Sequence, residues 1–154
     1  MKKLIYKFFV AFAILNFNVL IAKAQIVNIP DANFKTFLVG NSGINTNLDG
    51  EIQVSEAQAY MGGIFAGTQG ISDLTGIEAF VNITALDVSQ NNLSSLDLSA
   101  NTAITNLFCY LNAITCLNLA NDTALSFLDC SSNNLTSLNI QNGNNVGLSS
   151  FVVT

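Results

Sequence analysis

A 21-residue repeat constrains this chain more than any other feature. Leu86, Leu107 and Leu128 stand 21 residues apart. The same step links Val88, Cys109 and Cys130, then Asn91, Asn112 and Asn133, then Leu93, Ile114 and Leu135. It also links Leu96, Leu117 and Leu138, and Ile104 with Leu125. A period of about 20 to 29 residues held at so many positions points to a solenoid, because one unit can bury its apolar face only against the next. The register extends backwards with Ile64, Ala66, Gln69 and Ile71, where the step from Ile64 to Leu86 is 22. It extends forwards to Phe151 and Val153, where the step from Leu128 to Phe151 is 23.

Within each unit the roles follow from spacing. Leu86 and Val88 alternate with polar neighbours, as in a strand with one buried face. Asn91 follows that strand, where its amide can satisfy turn backbone groups inside the stack. Leu96 and Leu98 form a second apolar pair for the opposite wall. The row Leu86-Asp-Val88-Ser-Gln-Asn91-Asn-Leu93, entered through Ile83, reads LxxLxLxxNxL and resembles the leucine-rich repeat family. The resemblance covers roughly 61–154 and implies a curved solenoid with a parallel sheet on its concave face. The expected fold class is thus an α/β-type solenoid of repeats of 21–23 residues, capped by a small N-terminal helix-loop-helix. The helix–loop–repeat order is also similar to that of secreted bacterial surface proteins, some of which carry a C-terminal sorting domain. The sequence stops at Thr154 inside a predicted strand, so we expect an uncapped end and a fragment of a longer protein.

Residues 1–24 are expected to be a signal peptide. Lys2, Lys3 and Lys7 precede the mostly apolar Phe8–Ile21, and Ala22-Lys-Ala24 forms a small-x-small cleavage site before Gln25. The alternative, a membrane anchor, would need ~20 apolar residues. Cleavage after Ala24 leaves Lys35 as the one basic residue against ten acids, a formal charge of −9. Such a chain offers no electrostatic footprint for nucleic acid or an anionic membrane. A secreted or cell-surface location follows, with no membrane insertion after signal removal. There is no histidine, which excludes His-activated nucleophiles and imidazole metal sites. Of three cysteines, Cys109 and Cys130 share one inward position in adjacent repeats and are read as stacked buried thiols. Cys116 is read as outward.

The segment 25–60 is read as a cap for the open end of the stack. Asp31 begins a helix with Phe34, Phe37 and Leu38 on one face, and Gly40 ends it. A second short helix is expected near Ser55. Between them, residues 45–56 resemble the twelve-residue loop of EF-hand proteins. The resemblance implies calcium held by Asn45, Asn47, Asp49, the carbonyl of Glu51, and Glu56 through both oxygens. Gly50 would permit the sharp turn and Ile52 would pack inward. The polar-turn alternative binds nothing. With only Asp49 and Glu56 as carboxylate ligands, calcium here would be weak and structural.

A ligand is expected on the concave sheet. Its central outward column reads Phe65, Asp87, Phe108, Asp129 and Val152. Gly63, Ala85, Asn106, Phe127 and Ser150 lie on one side of it, and Gly67, Ser89, Tyr110, Ser131 and Thr154 on the other. Phe108, Tyr110 and Phe127 cluster with Asp87 and Asp129 beside them, a pattern suited to protein or glycan recognition. The expected function is non-catalytic recognition or adhesion. One alternative is a structural spacer. Another is a carboxylate-based hydrolase built on Asp87 and Asp129, whose separation of roughly 9 to 10 Å is near the upper end of the inverting range. Asp122-Thr123-Ala124 resembles a short O-glycan acceptor of some bacterial surface proteins.

Overall fold

The structure, a computed structural model, describes residues 24–143 and the strand Ser150–Val152. The expected signal peptide therefore lies outside the described residues apart from Ala24. So do Val153, Thr154 and the side chains of Ser150 and Val152.

Two helices form the cap: α1 (Ala32–Val39) and α2 (Val54–Ala59). Asp31 caps α1, accepting from the backbone N–H groups of Asn33 at 2.9 Å and Phe34 at 3.0 Å, so two orphan donors of the first turn are satisfied. Phe34 and Leu38 are fully buried, while Phe37 packs against the core from a half-buried position. Gln53 and Glu56 make a reciprocal capping box for α2. Ile26 and Gln53 form an antiparallel bridge, which ties the leading segment to the cap.

The second oxygen of Asp31 reaches the repeats. Its Oδ2 accepts from Ser72 N at 2.8 Å, Ser72 Oγ at 2.9 Å and Asp73 N at 3.2 Å. Burial pushes this carboxyl upward, but the donors from Phe34, Ser72 and Asp73 outweigh it and hold it below its ordinary value. One side chain thus starts the cap helix and clamps it to the first repeat.

Among the described residues seven three-residue strands follow: β1 (Gly63–Phe65), β2 (Ala85–Asp87), β3 (Asn106–Phe108), β4 (Cys116–Asn118), β5 (Phe127–Asp129), β6 (Ser137–Asn139) and β7 (Ser150–Val152). Five form one parallel sheet in the order β1-β2-β3-β5-β7. Its register aligns Ile64, Leu86, Leu107, Leu128 and Phe151, as the repeat predicts. The opposite wall is a second parallel sheet, β4-β6, continued by a bridge from Leu96 to Leu117. Sequence spacing placed leucines on that wall but did not show that it is strand. The tail of the first repeat carries a 3-10 turn, Ile77–Ala79.

The core is a set of columns between the walls. Leu86, Leu107 and Leu128 are fully buried, as are Val88 and Cys109, with Cys130 nearly so. An asparagine ladder runs beside them. Asn112 Nδ2 donates to Val88 O at 3.0 Å, Cys109 O at 3.1 Å and Tyr110 O at 3.3 Å, while its Oδ1 accepts from Leu93 N at 3.0 Å. Asn91 and Asn133 repeat this bridging of their own turn to the one before. The residue ahead of each ladder site is left-handed: Gln90 has φ 55°, Leu111 53° and Ser132 52°. That conformation turns the chain out of the strand while the amide turns in, at a cost of roughly 1 kcal/mol per non-glycine residue.

A second ladder stands on the far side. Asn101 Nδ2 donates to Ile77 O at 2.9 Å and Phe80 O at 3.0 Å, and Asn142 Nδ2 donates to Asp122 O at 2.9 Å. The 21-residue step carries Asn101 onto Asp122. Asp122 is 1% exposed, and neither carboxylate oxygen has a hydrogen-bond partner. Burial first, then the nearby Asp97 carboxylate, push it up to about 6. The acid of the Asp122-Thr123-Ala124 motif is therefore inside the stack.

Candidate functional site: the concave sheet

Register brings the expected residues onto one face. Phe65 pairs with Asp87, Asp87 with Phe108, and Phe108 with Asp129, while Phe127 pairs with Asn106. The Phe108 and Phe127 rings meet diagonally with centroids 4.7 Å apart and planes tilted by 34°. This offset geometry is favourable and holds both rings half-buried, so they are less open than their outward register suggests. Tyr110 is also half-buried, and its hydroxyl accepts from Gln90 Nε2 at 3.4 Å.

The most open apolar side chains nearby are Phe65, 61% exposed, and Leu111, 51% exposed. The Phe65 ring lies back over Gly63, where a Cβ would stand 2.5 Å from its Cζ. Glycine there makes room for the ring. Leu111 was not anticipated. Its left-handed backbone turns it out of the stack directly after Tyr110, at the repeat position held by the polar Gln90 and Ser132 in the neighbouring turns.

Asp87 and Asp129 have the same second role. Asp87 Oδ1 accepts from Ser89 N at 2.9 Å and Ser89 Oγ at 2.6 Å. Asp129 Oδ1 accepts from Ser131 N at 3.1 Å and Ser131 Oγ at 2.7 Å. Each carboxylate fixes the strand exit, and Phe108 stands between them in register.

The cap loop is closed upon itself. Glu56 Oε1 accepts from Thr46 N and Oγ1, each at 2.8 Å, and from Asn47 N at 3.2 Å, while Oε2 accepts from Gln53 N at 3.1 Å. Burial raises this carboxyl, but those four donors win and hold it below its ordinary value. Asp49 accepts from Glu51 N at 2.9 Å, Asn47 Nδ2 at 3.1 Å and Gln53 Nε2 at 2.8 Å. Glu51 is paired with Lys35 at 2.7 Å. Gln53 is a loop partner that the spacing did not reveal. Asn45 is buried, and its Oδ1 is an oxygen without a donor. Among the described residues, no three His, Cys, Asp or Glu side chains gather as a metal site.

Cys109 and Cys130 are buried thiols, both pushed up, Cys130 to about 11, by burial and then by neighbouring negative charge. Neither is a ready thiolate. Cys116 faces outward on β4 as expected. A groove of about 490 Å³ lies where the cap meets the repeats, lined by Thr46, Glu56, Tyr60 and Met61. Its one carboxyl, Glu56, is committed to the loop backbone. Among the described residues no helix is long and apolar enough to cross a membrane.

These features define a parallel-sheet solenoid of repeats about 21 residues long with an N-terminal helical cap. No protein-family model matches the chain, and no curated protein matches it. Solved structures do. The functional domain of InlJ from Listeria monocytogenes, described as including a cysteine ladder, superposes with a TM-score of 0.64 at 26% identity. The match covers 84% of this chain and 29% of that one. An internalin, inlF, from Listeria monocytogenes superposes with a TM-score of 0.63 at 21% identity, covering 88% of this chain and 47% of that one. The chain thus spans less than half of each of these two structures.

Proposed function

We propose that the chain is a non-catalytic recognition or adhesion module, secreted or at the cell surface, that captures a protein or glycan on its concave sheet. One observation carries this reading. Phe108 and Phe127 sit with Phe65 on the outer face of a sheet whose other face is the packed core, and Tyr110 and Leu111 follow just beyond the end of β3. A rigid sheet presenting clustered rings loses little entropy on binding, and aromatic anchors supply a disproportionate share of interface energy. The likeness to InlJ and the signal-like composition of residues 1–24 support an extracellular setting. The hydrolase alternative fares worse, because Asp87 and Asp129 each hold a serine and have a ring between them.

Binding of the full chain to arrayed extracellular proteins and glycans tests the proposal. Saturable capture supports it. Binding that never saturates on any arrayed partner favours the spacer reading instead.

We also propose that the 45–56 loop takes calcium weakly. Asn45 brings a buried oxygen with no donor, and Asn47, Asp49, Glu51 and Glu56 share its turn. Most of the other oxygens already accept hydrogen bonds, so coordination must displace them. That exchange keeps affinity in the weak extracellular range, ~10⁻⁴ to 10⁻³ M.

A further inference from the structure

The concave face carries ordered charge as well as apolar surface. Across the sheet, its central row alternates Phe65, Asp87, Phe108, Asp129. Parallel strands lie ~4.8 Å apart, so rings recur at roughly 9.6 Å along the row, and so do carboxylates. Each carboxylate gives Oδ1 to its serine. Among the described residues neither Oδ2 takes a hydrogen bond. No cation of the described chain is available to them, since Lys35 is its one basic side chain and pairs with Glu51.

This row discriminates between partners. A neutral partner that covers the rings also covers Asp87 and Asp129, and desolvates two charges without pairing them. An anionic partner is repelled by both. A cationic side chain placed between ring and carboxylate gains a cation–π contact and a charge-assisted hydrogen bond together. The spacing adds a second criterion. In an extended polyproline II segment, side chains three residues apart share a face at about 9.3 Å, close to the repeat of the row.

We propose, building on the concave-face reading above, that the site takes an extended basic segment of a protein. Its arginines or lysines, at three-residue spacing, seat on the Asp87 and Asp129 carboxylates against the neighbouring rings.

The test uses the full chain and two fluorescent peptides, Arg-Pro-Pro-Arg-Pro-Pro-Arg and the same peptide with glutamine for arginine. The expected result is a preference for the arginine peptide of about tenfold or more, weakened by salt. Asp87→Asn with Asp129→Asn, which keeps an acceptor for each serine, removes that preference and leaves the melting temperature near that of the parent. Equal binding of the two peptides overturns the proposal, as does binding of neither, or a preference that survives the double substitution. The concave-face reading has a separate test, because it stands or falls on whether ring substitutions abolish partner capture.

Discussion

Asp122→Asn is expected to stabilise this protein, and more so as the pH rises. In the far-side ladder Asn101 donates to two carbonyls of the preceding turn. Asp122 holds the equivalent place, 1% exposed, with both oxygens unpartnered. An ionised carboxylate has nothing to donate there, whereas the acid form has one hydrogen. Its folded value of about 6 lies above the ordinary 3.8, so the folded chain binds the proton more tightly than the unfolded one. Stability therefore declines as pH rises from about 4 through 6 and stays lower above that range. A tenfold difference in proton affinity between the folded and unfolded chain corresponds to about 1.36 kcal/mol, so the cost of ionising Asp122 approaches 3 kcal/mol at pH 7. Asparagine removes that cost and can restore the amide donors. Urea unfolding of both proteins at steps from pH 4 to 7.5 measures the effect. The difference in favour of the asparagine variant should grow by about 2.4 kcal/mol across this range, since a small part of the cost is already present at pH 4. A difference independent of pH, or a variant less stable than its parent at pH 7.5, would refute the reasoning.

Other consequences are as direct. Asn112→Ala removes one of the donors to each of three carbonyls and leaves the Leu93 N–H without its acceptor, and should cost about 1 to 3 kcal/mol in denaturant unfolding. Asp31→Ala removes a helix cap and the clamp onto Ser72, and should cost about 1 to 2 kcal/mol at pH 7. That loss should shrink in acid, because the stability given by a lowered carboxyl disappears as pH falls through its folded value. For the 45–56 loop, ~2 mM calcium should add roughly 0.6 to 1.8 kcal/mol relative to EDTA. An unchanged melting temperature would remove the calcium assignment.

Much of this architecture was legible because side-chain period and repeat period act together. Once Leu86, Leu107 and Leu128 are aligned, every residue between them has a face, and the outward column follows without coordinates. Local signals were also readable, as with Asp31 capping α1, although its second contact, to Ser72 and Asp73, was not. Three things were not readable. The outer wall is a strand because neighbouring turns pair there, and the step from Leu117 to Leu138 aligns the two leucines without saying that their backbones bond as strands. The half-burial of Phe108 and Phe127 depends on a diagonal contact between strands, which register permits but does not require. Leu111 is exposed through a left-handed backbone that leucine rarely adopts. The loop at Asn45–Glu56 shows the limit from the other side. Its spacing suits a cation, yet the same oxygens satisfy Thr46, Asn47 and Gln53, and sequence does not say which partner an oxygen prefers.

The central claim is that the concave rings are the binding surface. The most direct measurement compares partner capture by the parent chain with capture by a Phe108→Ala, Tyr110→Ala, Phe127→Ala variant, with melting monitored in parallel. The ring pair contributes only about 0.5 to 1.5 kcal/mol beyond its burial, and the core columns are untouched, so the variant should still fold. Loss of capture by a folded variant is the predicted result. A folded variant that captures its partner as well as the parent would contradict the account.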